Sequence, residues 1–381
     1  MAKRFADAAP GCWEVVELEA FSTPKKTRQS RRQRYLNAIR IWLNGKRDAE
    51  RQAMEEKSLR KLPELRLAHL VPPIDWRRAA APLNEAITRG HADEPVVFFI
   101  TPPHGGHASI VREWARTQAV AVCEAPNSDA LLEGRSDWIA AFDGKPRWAL
   151  PDLEHCFLRN RDGVQGVRAF LQAALTGQLG QGVIGCDSWS YAYLKHLVGL
   201  DSVPTLTLQA LEGDQLAAYF LRQDQHGLTV YSTRTGKPLI GSEHRAESEL
   251  EELAAYCRGH LGVAWHYWRE RLREPAPDID EKAKRDDKLW LVDALNDAEL
   301  TSDTGDVAVL TLHSLLIHGG LDDQALCKVL PFSDYETLNA RLTLARLKVV
   351  DQFDQRWQVT PLSYTSVREL LASRNYLVDP L

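Results

Sequence analysis

A chain of 381 residues, 44% hydrophobic and 26% charged, is long enough to bury a sizeable core and predicts two or three domains. No apolar run approaches the ~18–20 residues of a spanning helix. Residues 1–7 lack the apolar centre of a signal peptide, and the six cysteines have no paired spacing, which argues for reduced thiols in a cytoplasmic protein.

The net charge of -5 is unevenly spread, because thirteen Lys/Arg face four acids between Lys25 and Lys61, a local +9 that leaves -14 elsewhere. Ahead of that stretch, the alternation from Cys12 to Phe21 predicts a small strand, stopped at Ser22-Thr23-Pro24. In the basic stretch, Tyr35/Leu36, Ile39 and Trp42/Leu43 recur at helical spacing, predicting an amphipathic helix whose basic face includes Arg31, Arg32, Arg34 and Arg40. Such a face could meet nucleic acid, a membrane surface or an acidic protein partner. The plainer reading is a helix packed on the body with its charges in water. Asp75–Ile87 reads as a further helix, disturbed at Pro82.

From Pro95 to Leu208 short apolar runs alternate with helical segments. The runs are Val96–Ile100, Ala119–Cys123, Arg147–Leu150, Gly182–Cys186 and Thr205–Leu208; the helices are Ser109–Thr117, Ser136–Phe142, Gly163–Thr176 and Ser190–Leu197. That order predicts a mainly parallel five-stranded sheet covered on both faces, a three-layer α/β/α core. Ligands of such sheets sit at the carboxyl ends of the strands. There the first run meets Thr101-Pro-Pro-His-Gly-Gly-His-Ala-Ser109, and strand, glycine loop and helix together are the layout of a phosphate cradle.

Further on, 228–240 predicts a small hairpin, 249–272 a helical block, and Glu274–Glu281 a linker rich in proline and acid. The last stretch reads as helices at 307–317, 322–330 and 334–347, strands at 349–353 and 357–360, and a helix at 364–372. Three helices and a hairpin suggest a winged helix. Residues 286–381 hold eight Lys/Arg and fifteen Asp/Glu, so this module is ill suited to neutralise a DNA duplex by itself and better suited to protein contacts.

The pattern resembles the P-loop ATPases of the AAA+/STAND superclass, in particular the origin-recognition-like arrangement of ATPase core, helical lid and winged helix. Thr101–Ser109 lies on the family's Gly-Pro-Pro-Gly-x-Gly-Lys-[Ser/Thr] loop, Trp148-Ala-Leu-Pro-Asp-Leu-Glu154 on its second acidic motif, and Gly182–Ser188 on its sensor strand. Leu253–Ala264 resembles the lid, with Arg258-Gly-His-Leu-Gly262 as the turn between its helices. The resemblance implies ATP or ADP with Mg2+ as cofactor. It puts Pro103, His104, Gly105, Gly106, His107, Ala108, Ser109, Asp152 and Asp187 on the nucleotide, with Asp152 directed at the magnesium and Glu154 in the catalytic, water-activating place. It also implies a division into a basic arm (1–74), core (75–245), lid (246–275), linker (276–285) and winged helix (286–381).

Several residues depart from that pattern. The lysine is His107, whose ordinary pKa of ~6.5 leaves it mostly neutral at pH 7. The magnesium-binding hydroxyl is Ala108, with Ser109 one place late, and His104 replaces a loop glycine. Loss of that charge and hydroxyl removes the stabilisation on which phosphoryl transfer depends. The residues therefore point to a non-catalytic or weakly nucleotide-binding regulatory or scaffold protein that works through protein partners or self-association. An active ATPase with an atypical loop, or a nucleic-acid-binding protein led by the basic arm, are the alternatives. Blander roles exist for each group: His104 and His107 with Asp152 as metal ligands, Asp152 and Glu154 as partners of Arg159 or Arg161, Asp187-Ser188 as a helix cap.

Overall fold

The computed structural model describes residues 12–24, 59–222, 229–233, 236, 238–239, 248–276, 288–292 and 305–381. The predicted helix with Arg31, Arg32, Arg34 and Arg40 lies outside the described residues. The chain divides into two compact units. Of the described residues, 13–21, 75–209 and 305–381 form one, and 12, 22–24, 59–74 and those from 210 to 292 form the other.

The first unit is built on six strands: β1 (Val15–Glu17), β2 (Val96–Thr101), β3 (Ala121–Val122), β4 (Arg147–Leu150), β5 (Gln181–Asp187) and β6 (Thr205–Leu208). They lie side by side in the order β1-β6-β2-β5-β4-β3. The five expected strands are all parallel to their neighbours, and β1 adds an antiparallel edge, Val15 opposite Leu208. All six residues of β2 are buried, as a central strand covered on both faces requires. Beside it Gly182 of β5 leaves room for an indole: an added Cβ would stand 2.2 Å from the Trp148 ring. Trp148 in turn packs edge-on against Phe142, with centroids 4.9 Å apart, and donates its N–H to the Leu179 carbonyl. Each of these fully buried aromatics contributes about 1.5–3 kcal/mol by leaving water.

Helices α1 (Ala80–Gly90), α2 (His107–Thr117), α3 (Ser128–Leu132), α4 (Gly163–Leu175) and α5 (Ser188–Leu194) fill the connections. Pro82 does not disturb α1; it sits in the first turn, where the missing N–H has no intrahelical partner to lose. The segment expected as a helix at 136–142 is a 3-10 turn from Asp137 to Phe142. Helix α5 starts two residues earlier than its serines suggest, with Asp187 accepting the Trp189 N–H as cap.

The C-terminal part of the same unit comprises α6 (Asp306–Ile317), α7 (Asp323–Val329), α8 (Asp334–Arg346), a hairpin of β7 (Val350–Phe353) and β8 (Arg356–Val359), and α9 (Pro361–Ser373). Ser333 and Glu336 form a reciprocal capping box on α8. Asp354 and Gln355, both at positive φ, make the two-residue turn that matches strand twist. Arg341 of α8 is buried, paired with Asp323 at 2.9 Å and stacked over Trp357. This block packs on α5. Ser190 donates to the Ile317 carbonyl, Trp189 to the Tyr364 hydroxyl at 3.1 Å, and Ser188 to Asp379 at 2.8 Å.

The second unit holds a four-stranded sheet that the sequence reading did not anticipate, in the order Leu59–Lys61, Leu272–Pro275, Lys288–Leu291, Thr229–Ser232. The stretch expected as a linker thus begins in a strand, whose buried Glu274 pairs with Arg60 and Arg66. The end of the basic stretch therefore meets an acid of its own chain. Two helices, Ser248–Tyr256 and Leu261–Arg271, are joined at Arg258 and Gly259, both at positive φ, as the turn motif implied. Tyr267 and Trp268 are core residues, Trp268 stacking on Phe220 at 5.0 Å.

Candidate functional site

The glycine loop leaves the carboxyl end of β2 and closes quickly, the Gly105 N–H donating to the Pro102 carbonyl at 2.9 Å. Gly106 takes a left-handed φ of 76° and caps α2, which starts at His107, two residues before the apolar spacing suggests. The Trp76 ring lies against Gly106, where an added Cβ would come within 2.3 Å of it. Against Gly105 the same test meets the Thr101 side chain at 2.6 Å. Both glycines are therefore packed against protein.

His104 is also left-handed, with φ 64°, and its ring turns away from α2 towards the C-terminal block, Nε2 lying 3.2 Å from the Val359 carbonyl. Burial pushes its pKa down to about 4, the carbonyl only partly opposing, so the ring is neutral. Ser109 points to solvent and Ala108 offers no oxygen.

His107 goes the other way. Its Nε2 stands 2.7 Å from Glu154 Oε1 and its Nδ1 3.0 Å from Thr101 Oγ1. Burial pushes its pKa down, but the Glu154 charge and hydrogen bond outweigh that and raise it to about 9, with Asp187 and Asp152 adding to the effect. The expectation of a mostly neutral His107 is overturned: a nearly buried carboxylate at hydrogen-bond distance holds the proton on the ring. Glu154 shows the converse, since burial would raise its pKa but His107 takes it down to about 2. Both Glu154 oxygens are engaged, because Oε2 accepts the Asp187 N–H at 3.1 Å. Gly319, from the segment after α6, abuts the same side chain; an added Cβ would be 2.9 Å from Glu154 Cγ.

Asp152 follows β4 by two residues and pairs with Arg112 of α2 at 2.6 Å, and Arg112 also reaches Glu124 at 2.7 Å. Arg159, expected as a partner of these acids, donates instead to Ser314 at 3.0 Å. Burial and the Glu154 charge push the Asp187 carboxyl well above the usual carboxylate range.

The structure thus brings His107, Asp152, Glu154 and Asp187 together and takes His104 elsewhere. One ligand atom from each of His107, Asp152 and Glu154 lies within 4.8 Å of the others. Thr101, Arg112, Trp76 and the C-terminal residues Gly319 and Val359 escaped the sequence reading. Thr101 and Arg112 flank the motif within six residues of His107, the one signal that could have suggested them. Set against known proteins, the chain matches no family model and no curated protein sequence.

Proposed function

We propose that this chain is a regulatory or scaffold protein whose P-loop-like core, of AAA+/STAND type, does not hydrolyse nucleotide and works through protein partners. The observation that carries the reading is Glu154. In an ATPase of that type the carboxylate must be free to activate water; here one oxygen holds an imidazolium and the other a backbone N–H. The residues present do not fit a triphosphate with Mg2+. The cation at the lysine position is neutralised internally, the hydroxyl position is alanine, and both loop glycines are packed by Thr101 and Trp76. The C-terminal block, winged-helix-like in its helices and hairpin, binds the loop through His104 and crowds Glu154 through Gly319.

Calorimetric titration of the full chain with ATP and ADP, with and without Mg2+, tests this together with a phosphate-release assay. The expected outcome is no phosphate release above a protein-free control and no affinity tighter than millimolar. Tight binding with turnover that disappears in Glu154→Gln would show an active ATPase instead.

A further inference from the structure

We propose that His107, Asp152 and Glu154 form a binding site for a divalent first-row transition ion, held by His107 Nε2 and one oxygen of each carboxylate. The inference is independent of whether nucleotide binds. It begins from placement: three donors from two separate motifs converge within 4.8 Å at the carboxyl ends of β2 and β4. Their side chains are shielded, with 11% of His107, 5% of Glu154 and 12% of Asp152 exposed.

The stronger observation is what stands behind each donor. Metal-bound imidazoles characteristically donate the second ring N–H to an oxygen, and ligating carboxylates are themselves hydrogen-bonded. Each of the three donors meets its condition here through a residue outside the cluster. Thr101 Oγ1 lies 3.0 Å from His107 Nδ1, which fixes Nε2 as the inward atom. The Asp187 N–H holds Glu154 Oε2, leaving Oε1 facing the ring. Arg112 holds Asp152 Oδ2.

An ion entering here is bound by the neutral imidazole and the two carboxylates, the forms in which these groups ligate. Atoms now 2.7 Å apart need to part only slightly, since ligands about 2.0–2.2 Å from a metal lie roughly 3 Å or more from each other. One imidazole nitrogen with two carboxylates favours a borderline ion of the Zn2+ or Co2+ kind, and the nitrogen disfavours Ca2+ and Mg2+, which take oxygen ligands.

The test uses the full chain, stripped with chelator and without nucleotide, titrated with Zn2+ and with Co2+ by calorimetry. One equivalent is expected to bind. Co2+ should develop a visible ligand-field spectrum, and nitrogen NMR should show one histidine ring becoming metal-bound. His107→Gln, Asp152→Asn and Glu154→Gln should each weaken binding by tenfold or more, and Thr101→Val by about tenfold. The exposed His196→Ala should leave it unchanged. Absence of one-equivalent binding, or affinity undiminished in both His107→Gln and Asp152→Asn, would overturn the proposal. The spectra of the native chain decide the matter even if a variant fails to fold.

Discussion

At the residue scale the behaviour of the site turns on where one proton sits. His107 has an ordinary pKa of 6.5 in the unfolded chain and about 9 in the fold, so its contribution to stability is complete below pH 6.5 and lost as pH climbs through 9. Glu154, ordinarily at 4.5 and lowered to about 2, contributes fully above pH 4.5 and loses that contribution as pH falls through 2. The stability gap between the native chain and His107→Gln, with chelator present, should therefore be widest between pH 4.5 and 6.5 and narrow towards pH 9. Chemical denaturation at a series of pH values measures it. His107→Ala, which strands a carboxylate that is only 5% exposed, should cost about 3–5 kcal/mol near pH 6. Removing Glu154 as well should recover part of that loss, because two absent charges are cheaper than one left alone.

At the scale of elements, the sheet depends on small residues making way for large ones. Gly182→Ala drives a methyl into the Trp148 ring and should destabilise by about 1–3 kcal/mol. Combined with Trp148→Leu, the two losses should fall short of additivity, since the smaller side chain removes the clash; thermal melts of the single and double variants give the coupling. The same pair shows what was legible in the sequence and what was not. Val96–Ile100 and Gly182–Cys186 announce themselves as strands because burial on both faces demands continuous apolar or small residues, and that pattern is local. Likewise the turn at Arg258-Gly259 is written in its glycine. The state of His107 was not legible, because it is set by a carboxylate 47 positions away. Strand Leu59–Lys61 was obscured by its charges, which read as an exposed arm until Glu274, more than two hundred residues on, supplies a buried partner. The place of α6 and α9 against α5 was equally hidden, since amphipathic periodicity says that a face is covered but not by what.

At the scale of the whole molecule, the first unit is held shut by polar contacts that only long-range packing could create. Asp379 is buried and accepts from Arg368 at 2.7 Å, from Ser188 at 2.8 Å and from the Tyr364 hydroxyl at 3.3 Å. Asp379→Ala leaves Arg368 without its carboxylate and should cost about 3–5 kcal/mol. Hydrogen exchange should then speed up first in α5 and α9, where the contacts are lost, and later in β2. Uniform acceleration across the sheet would show that the block and the core open as one cooperative body. Either result bears on the state of the glycine loop, since a C-terminal block that separates from the core would carry Val359 and Gly319 away from His104 and Glu154 together.

The clasp between Ser188 and Asp379 spans 191 positions, and β1 waits a comparable length of chain for its partner β6. During synthesis at roughly 5–20 residues per second, domains ordinarily close from the N-terminal side while the rest is still being made. Here the buried serines of α5 have no acceptors until residues 317 and 379 have left the ribosome, so the sheet must pass some ten seconds or more with an unsealed polar edge. The nascent chain is therefore expected to be a client for chaperones over that interval. Protease resistance of the first unit should appear abruptly once residue 379 has emerged, rather than in two steps.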